Sequence, residues 1–133
     1  MKVLVDTSVW SLALRRRDNI QIPCVKELRS LIQDHRVQMI GPIRQEVLSG
    51  IRSESQFNQL TRHLDSFSDL PILTKDYIEA ARYFNLCRSR GIQGSNTDFL
   101  ICAVSARNEL PLYTTDKDFE QFAELIPIHL HKP

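Results

Sequence analysis

Cysteine is scarce in this chain and has no pattern. Cys24, Cys87 and Cys102 are odd in number, widely spaced and free of any C-x-x-C pair, which argues against a disulfide framework and a zinc knuckle and suits a reducing compartment. Long apolar runs are missing too. No stretch approaches the roughly 20 residues of a membrane span, and Asp6 interrupts the N-terminus too early for the apolar core of a signal peptide. The expectation is a soluble, cytoplasmic protein. Excess charge of one sign is also absent, the formal net being +1, so any grip on nucleic acid has to come from a local patch. There is no internal repeat, low-complexity run or linker. With 42% hydrophobic and 25% charged residues over 133 positions, the chain predicts one globular domain spanning residues 1–133, able to remove roughly two thirds of its unfolded surface from water.

What is present begins with Val3-Leu4-Val5, an unbroken β-branched and apolar run that stops at Asp6-Thr7-Ser8. Such a run reads as a strand buried on both faces, and Asp6 then sits at its carboxyl end, where open α/β sheets bind ligands. The plainer alternative is that Asp6, Thr7 or Ser8 caps the helix starting near Val9. Trp10 reads as packing in the core or at an interface. Beyond the charged Arg15-Arg16-Arg17-Asp18-Asn19 turn, Pro23 is placed to open a helix with Val25, Leu28, Leu31 and Ile32 on one face. Val37 to Ile40 predicts a second strand, and Gly41-Pro42 turns it into a helix carrying Glu46.

Ser53 with Gln56 matches a capping box for a helix whose face is Phe57, Leu60, Leu64 and Phe67. Leu70 to Leu73 is an edge-strand candidate, because Pro71 removes a ladder donor. A helix from Asp76 to about Arg90 should turn Tyr77, Ala81, Phe84 and Cys87 inward and stop at Gly91. Asn96 or Thr97 caps the apolar segment Phe99 to Ala106, with Asp98 in its first turn. Leu112 to Thr115 predicts a buried strand ending at Asp116, Asp118 starts a helix holding Phe119 and Phe122, and Ile126 to Leu130 predicts a last short strand. Strands alternating with helices imply an α/β fold, a three-layer α/β/α sandwich around a mainly parallel central sheet.

This topology gathers scattered acids. Asp6 and Asp116 end strands while Glu46 and Asp98 lie early in helices, so all four project toward one edge of the sheet. Each has an ordinary reading as a cap or a solvated residue, but jointly those readings leave their convergence unexplained. Two charges about 4 Å apart at an effective dielectric near 20 repel by roughly 4 kcal/mol, so a cation should sit among them. Oxygen ligands without His or Cys select a hard ion, Mg²⁺ or Mn²⁺. Thr7, Ser8, Thr114 and Thr115 are candidates to orient waters or phosphate oxygens, and equally for local backbone bonding.

With these residues on the page, the chain resembles the PIN-domain ribonucleases, and within them the VapC-like toxins of type II toxin–antitoxin pairs. The resemblance rests on V-L-V-D-T-S-V-W at the N-terminus, Glu46 after a strand and turn, D-F-L-I-C-A-V-S-A from Asp98, and L-Y-T-T-D-K-D-F from Leu112 to Phe119. It implies catalytic acids at Asp6, Glu46, Asp98 and Asp116, with Asp6, Asp98 and Asp116 holding Mg²⁺ or Mn²⁺. Asp118 falls on the second acid of the T-x-D-x-D-F pattern and is a candidate support, as Thr7, Ser8 and Thr115 are by their own chemistry. The resemblance further implies an RNA substrate, a homodimer and a VapB-like antitoxin whose C-terminal segment crosses the active-site groove. Arg15, Arg16 and Arg17 are candidates to grip RNA phosphates, with Arg44, Arg52, Arg88 and Arg90 as extensions of that patch. His129 and His131 form a pair in the C-terminal tail that reads as solvated more readily than as metal-chelating. Two rival functions remain open at this point. One is an aspartyl-nucleophile phosphohydrolase, weakened because Asp6-Thr7-Ser8 lacks the second acid of a D-x-D motif. The other is a non-catalytic RNA- or partner-binding module with a structural metal.

Overall fold

In a computed structural model, which describes residues 1–15 and 21–133, the chain runs β1 (Val3–Val5), α1 (Thr7–Arg15), α2 (Pro23–Gln33), β2 (Val37–Gln38), α3 (Gly41–Leu48) and α4 (Glu54–Leu64). It continues with α5 (Thr74–Ser89), α6 (Asn96–Asn108), β3 (Leu112–Tyr113) and α7 (Asp118–Leu125). The sheet has the order β2-β1-β3, and both pairs are parallel. Leu4 pairs with Gln38 on one side and Leu112 on the other. The central strand is β1, and Val3, Leu4 and Val5 are completely buried. An apolar triplet without alternation is what a strand covered on both faces requires. Helices flank the sheet, α1 packing on α2 and α3, α3 on α4, and α5 on α6 and α7. No helix among the described residues is long and apolar enough to cross a membrane.

The strands are shorter than the apolar runs that announced them. Of Val37 to Ile40 only Val37–Gln38 is strand, and Met39 forms a single parallel bridge to Asp69. The candidate Leu70 to Leu73 contributes no strand. Pro71 has no N–H to donate, and Leu70 makes the one ladder bond, to the Met39 carbonyl at 3.0 Å. Of Leu112 to Thr115 only the first two residues are strand, because the Thr114 hydroxyl and the Thr115 and Asp116 amides turn instead to side-chain partners. Ile126 to Leu130 is likewise reduced to a bridge between Leu112 and Leu130, and Pro127 withholds a donor there too.

Two helices differ from expectation for reasons of side-chain chemistry. The inward residues of α5 are Asp76, Ala80, Tyr83 and Cys87, whereas Tyr77 is 56% exposed and Ala81 faces outward. A buried carboxylate shifts the face by one position: Asp76 accepts hydrogen bonds from Arg107 on α6 at 2.6 and 2.9 Å. On α6 the cap is Ser95, neither Asn96 nor Thr97. Its hydroxyl accepts the Asp98 N–H at 3.1 Å while Asp98 accepts the Ser95 N–H at 3.0 Å, a reciprocal box that places Asp98 at the third helical position. Elsewhere the local signals hold. Pro23 lies in the first turn of α2, and the Ser53 hydroxyl accepts the Gln56 N–H. On α4 Leu64 is buried while Phe57 stays partly exposed. Gly91, at φ +75°, ends α5 with the Gly91 and Ile92 amides bonded back to Arg88 and Cys87. Trp10 is buried edge-on against Phe67, their ring centroids 5.4 Å apart.

The loop leading into α6 passes close over the aromatic core. A Cβ on Gly94 would lie 2.7 Å from Phe122 Cζ and 3.0 Å from two ring atoms of Phe99. Those rings are buried and 4.8 Å apart, so neither can retreat freely. Gly94→Ala should therefore destabilise the fold by about 1–3 kcal/mol, the usual cost of overpacking, as read from a lower urea midpoint at unchanged m-value. An unaltered midpoint would mean that the loop yields without cost.

Candidate active site

Asp6 follows β1 directly and is 6% exposed. Its backbone carbonyl accepts the Val9 and Trp10 amides that open α1. Its side-chain Oδ2 accepts the Ser8 hydroxyl and the Thr114 hydroxyl, each at 2.8 Å, and the Ser8 amide at 3.4 Å. The capping residue of α1 and the first candidate acid are thus the same residue. Because β3 lies beside β1, Thr114 and the turn after it approach this carboxylate from the neighbouring strand.

In that turn, Asp116 Oδ1 accepts the Asp118 N–H at 2.9 Å and its own N–H goes to Thr114 Oγ1 at 3.0 Å. Asp118 is exposed at the start of α7. Asp98 lies in the first turn of α6. Partial burial raises its carboxyl pKa, the two Ser95 hydrogen bonds oppose this, and the negative charges of Asp116 and Asp6 push the same way as burial. Asp98 therefore feels the charge of both other aspartates. Cys102, one turn along α6 from Asp98, has its thiol pushed up by burial and then by Asp98, Cys87 and Asp6, so it stays protonated and is no thiolate ligand. Glu46 is exposed on α3, where its Oε1 accepts the Thr7 hydroxyl at 2.7 Å. Thr7 stands next to Asp6, which ties α3 to the same end of β1.

The donor set suits a hard cation. Each aspartate has one carboxylate oxygen engaged, Oδ2 of Asp6, Oδ2 of Asp98 and Oδ1 of Asp116. The other oxygen of each accepts no hydrogen bond from the described residues. As placed, no group of three or more His, Cys, Asp or Glu side chains among the described residues is arranged to hold a metal ion. Mg²⁺ does not demand such a group, since it is commonly held by one or two carboxylates and several waters.

Other sequence candidates have different employment. Arg44 is fastened to Asp69 and to the Leu64 and Phe67 carbonyls, so it braces α3 against the α4 end instead of extending a basic patch. Arg88 lies over the Phe84 ring, 5.6 Å from its centroid. His129 is exposed, whereas His131 is half-buried and partnered within the fold. The Nε2 of His131 sits 2.6 Å from Glu27 Oε2, and its ring packs edge-on against Tyr113. Arg15 is exposed at the end of α1, whereas Arg16 and Arg17 lie outside the described residues. Sequence reasoning missed Ser95. The signal available was the Ser-x-x-Asp spacing of a capping box, Ser95 to Asp98.

A parallel β2-β1-β3 sheet with helices around it and aspartates collected at the end of its central strand defines an α/β protein with an acidic site at the carboxyl edge. The chain matches the PIN domain over residues 3–125 and belongs to that family. It is 28% identical over 127 residues to ribonuclease VapC11 of Mycobacterium tuberculosis, a match covering 92% of each chain. The fold is that of FitAcB from Neisseria gonorrhoeae, with a TM-score of 0.76 at 22% identity and coverage of 98% and 97% of the two chains. It is also that of VapBC-5 from M. tuberculosis, a member of the VapBC family of toxin–antitoxin systems, with a TM-score of 0.69 at 20% identity and coverage of 99% and 98%.

Proposed function

We propose that this protein is a metal-dependent endoribonuclease that hydrolyses RNA phosphodiester bonds as the toxin of a type II toxin–antitoxin pair. The observation that carries the reading is the set of three aspartates with one oxygen engaged and one left over, at the carboxyl edge of a PIN-domain sheet. The likeness to VapC11 supports RNA as the substrate. The likeness to VapBC-5 supports a VapB-like antitoxin as partner, and homodimerisation and a cytoplasmic location belong to the same reading.

Asp6, Asp98 and Asp116 would hold Mg²⁺ or Mn²⁺, which when bound supplies positive charge for the phosphodiester and lowers the pKa of water. The chain's own groups do the rest. Asp6 and Asp116 are fixed by hydrogen bonds from the β1 and β3 ends, and Asp98 by the Ser95 box. Glu46, with Oε1 held by Thr7, has Oε2 as the atom that takes a proton from a water attacking phosphorus, while the bond from phosphorus to the departing ribose oxygen breaks. Asp118 keeps Asp116 oriented through its amide. Arg15, at the end of α1, contributes phosphate contacts together with Arg16 and Arg17, which follow it in the sequence.

Purified protein should cleave labelled RNA internally with Mg²⁺ or Mn²⁺ and stop when the metal is chelated. Tight RNA binding without cleavage, unaffected by chelator, would favour the non-catalytic binding module. A trapped aspartyl-phosphate would favour the phosphohydrolase.

A further inference from the structure

Ser8 and Thr114 are 106 residues apart and meet at one oxygen atom. Ser8 Oγ lies 2.8 Å from Asp6 Oδ2 and 3.0 Å from the Thr115 backbone nitrogen. An N–H can only donate, so Ser8 accepts from Thr115 and directs its single hydroxyl proton to Asp6. Thr114 Oγ1 repeats the arrangement, 2.8 Å from Asp6 Oδ2 and accepting the Asp116 N–H at 3.0 Å. The two hydroxyl oxygens are 3.2 Å apart, yet with both protons on the carboxylate neither donates to the other. Neither has a proton left for a phosphate oxygen or a water.

We infer that Ser8 and Thr114 are positioning residues: a pair of hydroxyls that clamps the Thr114-Thr115-Asp116 turn onto Asp6 and so sets the separation of the Asp6 and Asp116 carboxylates. Four hydrogen bonds carry the clamp, two into Asp6 Oδ2 and two out of consecutive amides of the turn. It also turns Asp6 so that Oδ1, which accepts none of these bonds, is the oxygen available to a cation. The inference rests on the metal-site reading above, and it adds what holds two of the ligands in register before any ion arrives. Groups that orient a ligand in this way typically change metal affinity by roughly 10–100-fold when removed.

The test uses the full chain with Ser8→Ala and the shape-matched pair Thr114→Val and Thr114→Ser. Amide exchange is followed in chelator and Mn²⁺ binding by calorimetry with the metal alone, alongside RNA cleavage. Ser8→Ala and Thr114→Val should speed exchange at Thr115 and Asp116 respectively while leaving β1 amides protected. Both should weaken Mn²⁺ binding at least tenfold and lower kcat with little change in KM for RNA, and Thr114→Ser should restore all three. Unchanged exchange, or faster exchange with Mn²⁺ affinity as in the wild type, overturns the inference, the latter leaving the hydroxyls as loop anchors alone. A wild type that binds Mn²⁺ but cleaves no RNA would remove the nuclease reading and leave the clamp standing.

Discussion

Asp98→Asn is expected to abolish RNA cleavage while leaving the metal-free protein as stable as the wild type or slightly more so. The amide has the shape of the carboxylate, and its oxygen can still accept the Ser95 N–H, so the box that starts α6 survives. What disappears is a charge that burial and the neighbouring Asp116 and Asp6 disfavour. Losing one group that stabilises transition-state charge typically costs about 10²–10³-fold in kcat, which fixes the scale of the activity loss. The linkage has a definite sign. The folded-state pKa of Asp98 lies above its ordinary value, so the folded protein binds more protons than the unfolded chain between the two values. Stability in chelator should therefore fall as pH rises through that interval. The asparagine variant lacks this component. Adding Mn²⁺ should raise the wild-type melting temperature, as a ligand of the native state must, and leave the variant's almost unmoved. Thermal melts from mildly acidic to neutral pH, with and without metal, check each part. A variant that unfolds would make Asp98 a structural residue, and one that cleaves RNA like the wild type would point to a contaminating nuclease.

The legible and illegible parts of the chain divide by the distance over which their causes act. Val3-Leu4-Val5-Asp6 announces a central parallel strand and an acid at its end because the cause, burial on both faces followed by a polar stop, lies within four consecutive residues. Asp98 in the first turn of an apolar helix is equally local. Strand ends were less readable, since an apolar run marks burial and says nothing of where a neighbour stops pairing. Met39 and Leu130 are buried or half-buried but make only isolated bridges. The inward face of α5 departs from the hydrophobic pattern because that pattern gives no weight to an aspartate, and Asp76 is inside only because Arg107 reaches it from 31 residues away. The contacts of Thr114 with Ser8 and Asp6 are illegible for the same reason: they exist once β3 lies against β1, a fact of strand order.

Removing Arg107 should have the largest effect on stability of the substitutions considered, and by a route independent of the acidic edge. Asp76 is 1% exposed and takes Arg107 Nε at 2.6 Å and Nη2 at 2.9 Å, with the Leu73 amide completing its partners at 2.8 Å. Burial alone would raise its pKa. The Arg107 hydrogen bonds, the Leu73 amide and the nearby positive charges outweigh that and hold it below the usual carboxylate value. Arg107→Met leaves an unpaired carboxylate inside the α5–α6 contact, and breaking a buried pair in this way costs about 3–5 kcal/mol. The arginine side chain is 27% exposed, so the lower end of that range applies. At roughly 3 °C per kcal/mol for a domain of this size, the melting temperature should drop by about 10 °C. The double variant Asp76→Leu, Arg107→Met should recover most of the loss, since an apolar pair of similar volume is tolerated where a lone charge is not. It should remain about 1 kcal/mol short, because Asp76 also caps the first turn of α5 through Leu73. The pH dependence separates this account from simple loss of packing. In the wild type the contribution of Asp76 is present above the ordinary carboxylate pKa and is lost as pH falls through its depressed folded value. With Arg107 gone, burial dominates and the sign reverses, so the single variant should gain stability on mild acidification as Asp76 takes up a proton. A variant that loses stability in acid in parallel with the wild type would show that Asp76 finds another partner or reaches water, and that the pair does not hold α5 to α6.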